Sequence, residues 1–139
     1  MRKLLGIFLL TLFVSCSKYE QIGNEYILFE IHGTVTDVEG NPIEGIKVSG
    51  GTTTEVYTNL NGSLTLRGRT SPTEYVRLSF EDKDGESNGG KFLKRDVAIP
   101  VQQKLQGDEN GNFKGKYFAQ GVKVILVTKT SELNPDSGL

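Results

Sequence analysis

From Tyr26 onward the chain alternates. Ile27, Phe29 and Ile31 share one phase, which Val35 continues past Gly33, while Leu28, Glu30 and His32 occupy the other. A period of two sends successive side chains to opposite faces of a strand, so this segment predicts a long first strand with one face toward a core. Glu39-Gly40-Asn41-Pro42 then reads as a turn, because Gly and Asn tolerate positive φ and Pro fixes φ while lacking a donor. Ile43, Ile46 and Val48 predict a second strand that Gly50-Gly51 breaks, and the β-branched run Thr52 to Thr58 predicts a third. Asn59-Leu60-Asn61-Gly62 reads as a hairpin turn, with Leu64 and Leu66 on the return strand. The clearest alternation sets Tyr75, Arg77 and Ser79 against Val76, Leu78 and Phe80. Lys94 to Ile99, closed by Pro100, is a further candidate. Gly121 to Lys129 is the last, and its apolar residues in both phases predict a central or well-covered strand. Residues 101–116 fit either an extra strand pair or a loop. About seven short strands at regular spacing predict a single all-β Greek-key sandwich over residues 26–130, followed by a flexible tail at 131–139.

The N-terminus has a different pattern. Arg2 and Lys3 form a positive start, Leu4 to Val14 is an apolar run, and Ser15 is a small residue directly before Cys16. That order predicts a cleaved export signal over residues 1–15. The apolar run is far below the roughly 20 residues that a spanning helix needs. Phe13-Val14-Ser15-Cys16 resembles a lipobox, the sequence at which bacteria attach diacylglycerol to a cysteine thiol and cleave before it, with Phe13 where Leu is commoner. The resemblance makes Cys16 the lipidation site and the acyl-bearing N-terminus of the mature protein. Each methylene buried in the bilayer adds about 0.8 kcal/mol, so two or three acyl chains make a lasting anchor. Ser17 rather than Asp follows the cysteine, which in bacterial lipoproteins implies delivery to the outer membrane, facing the periplasm or the cell surface. Residues 16–25 then form a polar tether, whose Glu20 gives weak support to surface export.

Charge narrows the partners. Losing residues 1–15 removes Arg2 and Lys3 and no acid, leaving 14 basic against 17 acidic side chains. A net acidic chain of this kind does not predict a nucleic-acid partner. Cys16 is the single cysteine, so neither an internal disulfide nor a cysteine metal site can form, and the domain must hold by core packing. Seventeen glycines in 139 residues agree with short strands and tight turns.

Gly33-Thr34-Val35-Thr36-Asp37, Gly40-Asn41-Pro42-Ile43 and Gly45-Ile46-Lys47-Val48 together resemble the opening of the carboxypeptidase regulatory-like domain. Thr58-Asn59, Gly62, Leu64 and Leu66 match its usual continuation. The resemblance covers about residues 31–67 and implies a transthyretin-like (prealbumin-like) sandwich. Leu78-Ser79-Phe80-Glu81-Asp82 through Asn88-Gly89-Gly90 is similar to Bacteroidetes lipoproteins associated with radical SAM enzymes, a group that brings no established activity with it. A sandwich of this type hosts accessory, adhesive and carrier roles alike.

Four side chains in a glycine-rich loop, Asp82, Asp84, Glu86 and Asn88, offer the alternating oxygens that a hard cation such as Ca²⁺ takes. The EF-hand template fails, because Gly85 is misplaced and Leu93 stands where a closing Glu belongs; a solvated turn explains the same residues. Asp108-Glu109-Asn110-Gly111-Asn112 repeats the theme and reads directly as a hairpin turn. His32, the single histidine, reads as a strand residue on the solvent side or hydrogen-bonded at a sheet edge. Ser15, Ser49, Ser63 and Ser79 lie in no nucleophile-elbow context, and no HExxH, P-loop or GxGxxG occurs. Tyr57, Tyr75, Phe92, Tyr117 and Phe118 are expected mainly in core or cross-strand packing, and the absence of Trp counts against a carbohydrate module. The sequence therefore predicts no catalytic residue and no required cofactor. It predicts a membrane-anchored interaction module with an envelope or extracellular protein partner; the alternative is a carbohydrate- or ligand-binding accessory lipoprotein of a nutrient-uptake system.

Overall fold

A computed structural model describes residues 24–52, 54–85 and 90–128 of the chain. Eight strands form: β1 (Tyr26–Thr36), β2 (Ile46–Gly50), β3 (Thr54–Tyr57), β4 (Ser63–Thr70), β5 (Tyr75–Asp82), β6 (Arg95–Pro100), β7 (Gln102–Gln106) and β8 (Phe113–Ile125). They make two four-stranded sheets, ordered β4-β1-β8-β7 and β3-β2-β5-β6. The chain changes sheet between β1 and β2, β3 and β4, β4 and β5, and β6 and β7, so the fold is the all-β sandwich that the alternation predicts. β1 runs antiparallel to β4 but parallel to β8, which brings the first and last strands together at the middle of one sheet.

The phases fall as expected. Ile27, Phe29, Ile31 and Val35 of β1, Leu64 and Leu66 of β4, and Val76, Leu78 and Phe80 of β5 all point inward and are buried. Burial of one such side chain contributes about 1.5–3 kcal/mol, and this two-sided layer is the main source of stability in a chain without an internal disulfide. Thr58 is the one buried polar residue among those described. Its Oγ1 donates to the Ile43 carbonyl (2.7 Å) and accepts from the Ile46 amide (2.9 Å), closing the bend that feeds β2.

Three expectations need correction. The third strand covers Thr54–Tyr57 rather than Thr52 to Thr58, because the Thr52 amide and hydroxyl both donate to the Arg69 carbonyl in the opposite sheet (3.1 and 3.3 Å). Asn59-Leu60-Asn61-Gly62 is not a hairpin turn, since β3 and β4 belong to different sheets; it is an arch in which Asn59 Oδ1 accepts the Asn61 and Ser63 amides. The last strand begins at Phe113, not Gly121, and residues 101–116 supply β7, the connecting turn and the first part of β8. Gly121 (φ 67°) lies inside β8, where two residues oppose the single His32 of β1. An interior glycine of this kind marks a β-bulge, not a boundary. β8 is an inner strand of its sheet, one of the two expected alternatives, with Val124 buried and Ile125 47% exposed.

Candidate functional site

Inward burial of the odd-numbered residues of β1 leaves Tyr26, Leu28, Glu30 and His32 on the outer face of the β4-β1-β8-β7 sheet. Arg67 and Arg69 of β4 share this face, as do Lys116 and Phe118 of β8 by their register with Leu28 and Glu30. The strands of this sheet hold six cations, Arg67, Arg69, Lys104, Lys114, Lys116 and Lys123, against the single carboxylate of Glu30. Strands of the other sheet hold three cations (Lys47, Arg77, Arg95) against four acids (Glu55, Glu81, Asp82, Asp96). A chain with a formal net charge of −1 thus concentrates positive charge on one sheet.

Aromatic rings hold three of these cations, at the entry of the chain into β1 and level with Glu30. The Arg69 guanidinium lies 3.9 Å from the Tyr26 ring centroid, and the Lys104 and Lys116 ammonium groups lie 4.8 and 5.0 Å from the Phe118 centroid. Tyr26 and Phe113 add a tilted ring pair with centroids 5.7 Å apart. A depression of 630 Å³ at the β4 side is lined by Leu28, Arg67, Arg69 and Lys116 of this face together with Phe29, Gly68, Thr52 and Thr54, the last from β3 of the other sheet.

Beside it lies a polar row. His32 Nε2 is 3.1 Å from Glu30 Oε2, Thr65 Oγ1 is 3.1 Å from His32 Nδ1, and Arg67 Nε donates to Glu30 Oε1. The hydrogen bond from His32, then that from Arg67, holds the Glu30 carboxyl below its ordinary value. Hydroxyl, imidazole and carboxylate occur here in the order of a nucleophile–base–orienter relay. Acyl transfer also needs a substrate cleft and donors aimed at a developing oxyanion. Glu30, His32 and Thr65 instead stand on an open sheet face and line none of the depressions described. The row serves as a cross-strand register lock between β1 and β4.

Two larger depressions lie elsewhere on the described residues. One, of 650 Å³, follows the sheet edge where β7 begins and is lined by Pro100, Gln102, Lys104, Phe118 and the β8 bulge. β7 is exposed along its whole length. The other, of 760 Å³, lies on the opposite sheet and is lined by polar residues together with Tyr75.

Of the sequence-predicted site residues, Cys16, Glu86 and Asn88 lie outside the described residues. Asp82 spends both carboxylate oxygens on the chain itself: Oδ1 accepts the Asp84 amide (3.2 Å) and Oδ2 the Phe92 amide (2.9 Å). Burial, opposed by the Phe92 hydrogen bond, pushes its carboxyl up. Asp82 therefore holds the Asp84 and Phe92 backbone to the end of β5. No three His, Cys, Asp or Glu side chains among the described residues come close enough to hold a metal ion. The Asp108 amide donates to the Phe113 carbonyl (2.7 Å), closing the β7–β8 hairpin at the turn the sequence indicated. His32 is on the solvent side, as expected, though on an inner strand and not at an edge. Among the aromatics Phe92 is buried and Tyr117 packs on the core, while Tyr57 and Tyr75 are more than half exposed. The cationic face itself was missed, because whole-chain charge averages two sheets of opposite character; only the assignment of strands to sheets separates them.

No protein-family model matches the chain, and no curated protein matches it. Among solved structures it is similar to hydroxyquinol 1,2-dioxygenase from Pseudomonas putida DLL-E4, with a TM-score of 0.46 and 10% identity over 74% of this chain. The chain spans 57% of the length of that dioxygenase, a likeness too distant to carry any chemistry across.

Proposed function

We propose that the protein is a lipoprotein anchored at the outer membrane through Cys16, and that its sandwich is a non-enzymatic module that docks on a partner. The observation that carries this reading is the placement of its chemistry. Rings, cations and the His32 row lie on an open sheet face, behind a leader whose charge, apolar run and cysteine match an export and lipidation signal. Open faces and a bare edge strand such as β7 suit association with another surface or chain better than turnover of a small substrate.

Protease treatment of intact cells carrying a C-terminally tagged chain tests the proposal, with Cys16→Ser as the anchor control. The wild type should be membrane-bound, and Cys16→Ser should be released. Cleavage on intact cells assigns the surface, protection until the outer membrane is opened assigns the periplasm, and a Cys16→Ser chain that stays membrane-bound refutes the anchor.

The alternative, a glycan- or ligand-binding accessory lipoprotein, draws on exposed Tyr57 and Tyr75. Tyr57 aligns through Lys47 with Glu81, whereas Tyr75 opens β5 six residues earlier. At about 3.3 Å per residue that separates them by about 20 Å along the sheet, so they do not build one stacking platform.

A further inference from the structure

We infer that the cationic, aromatic end of the β4-β1-β8-β7 sheet docks on the phosphate-bearing surface of a bilayer, so that the domain lies against the membrane that tethers it. This deepens the anchored-module reading by naming what the open face meets first.

Three observations converge. Charge comes first: the strands of this sheet hold six cations to one carboxylate, against three to four on the other. Glu25, just before β1, takes Lys114 (3.6 Å), Glu30 takes Arg67, and Lys123 lies level with Thr34, so Arg69, Lys104 and Lys116 carry the charge of the end near Tyr26. The second is the pairing of those cations with apolar surface. Leu28 is 37% exposed beside Arg69 and Lys116, and Tyr26 and Phe118 carry cations over their rings. Aromatic side chains with one apolar and one wet side suit the headgroup layer. The third is position. Tyr26 opens β1, and the chain between Cys16 and Tyr26 is nine residues long, so a lipid on Cys16 keeps this end of the sheet close to the headgroups.

Within this end Arg67, Arg69, Lys116 and Leu28 line the 630 Å³ depression, which Thr52 and Thr54 close on the β4 side. Arg67 is held by Glu30, which leaves Arg69 and Lys116 to meet an anionic headgroup phosphate while Leu28 faces the acyl boundary. A free polyanion would find the same charges but no use for the interleaved apolar groups. The bilayer satisfies both.

The test uses residues 16–139 with Cys16→Ser, a lipid-free form that contains every strand of both sheets. Its binding to vesicles of phosphatidylcholine alone and to vesicles with one-third phosphatidylglycerol is measured by flotation. Wild-type sandwich should bind the anionic vesicles, lose that binding in high salt, and float poorly with neutral ones. Arg69→Glu with Lys116→Glu should weaken binding by about tenfold or more, whereas Arg77→Glu on the opposite sheet should not. Matching thermal melts keep the comparison independent of folding. Equal flotation with both vesicle types, no flotation at all, or equal loss from Arg77→Glu overturns the proposal. So does binding to soluble polyphosphate without binding to vesicles. Because no lipid is attached, failure here leaves the Cys16 anchor standing, and failure of the anchor leaves this result standing.

Discussion

The guanidinium of Arg69 stacks over the ring of Tyr26 at 3.9 Å, fastening β4 to the first residue of β1. Cation–π pairs at exposed sites contribute about 0.5–1 kcal/mol. A double-mutant cycle with Tyr26→Ala and Arg69→Ala should therefore show a coupling of that size in denaturant unfolding. Additivity within error would mean that the two side chains are merely near one another.

Thr58 supplies a larger effect. Thr58→Val keeps the shape but strands the Ile43 carbonyl and the Ile46 amide, which Thr58 Oγ1 now satisfies at 2.7 and 2.9 Å. A buried unsatisfied group costs about 1–3 kcal/mol, so Thr58→Val should destabilise by about 2 kcal/mol or more and Thr58→Ser by clearly less. Urea midpoints read the difference.

Two glycines should respond differently. A Cβ on Gly68 would sit 2.5 Å from Phe29 Cζ in the buried layer, so Gly68→Ala overpacks the core and should cost about 1–3 kcal/mol. At Gly121 nothing lies within 4 Å, but φ is 67°. Gly121→Ala should cost about 1–2 kcal/mol through backbone strain alone. Truncating Phe29 should relieve the first defect and leave the second unchanged, which a thermal-melt series checks.

Glu30 sets an acid dependence. Its folded-state value is lowered, chiefly by His32 and then by Arg67, so its contribution is complete above the unfolded glutamate value of about 4.3 and fades as pH falls through the folded value. Glu30→Gln should be less stable than wild type at neutral pH, with the gap closing below about pH 4. Unfolding at several pH values follows that convergence. A gap of constant size would remove the ionised carboxylate from the account.

The sequence revealed the sandwich because alternation is a local property. Ile27, Phe29 and Ile31, or Val76, Leu78 and Phe80, announce a buried face without reference to any partner strand. β8 resisted because bulges containing Gly115 and Gly121 shift its phase twice, so Lys116 and Phe118 do not continue the phase of Lys123 and Ile125. The arch at Asn59 looked like a hairpin since its turn chemistry is the same; what differs is the sheet each flank joins. The cationic face was hidden for a related reason, as Arg69, Tyr26, Lys104 and Phe118 are far apart along the chain and come onto one sheet only through pairing of β4, β1, β8 and β7. His32 was legible as an outward strand residue, but Glu30, Thr65 and Arg67 could not be named as its network from spacing.

The anchor is the premise on which the proposed function turns, and the mass of the membrane-extracted protein tests it most directly. The account predicts a chain that starts at Cys16, lacks residues 1–15, and carries a diacylglyceryl group with its added acyl chain on that residue, with the lipid absent from Cys16→Ser. A chain with a free Cys16 thiol, or one cleaved at another residue, would contradict it.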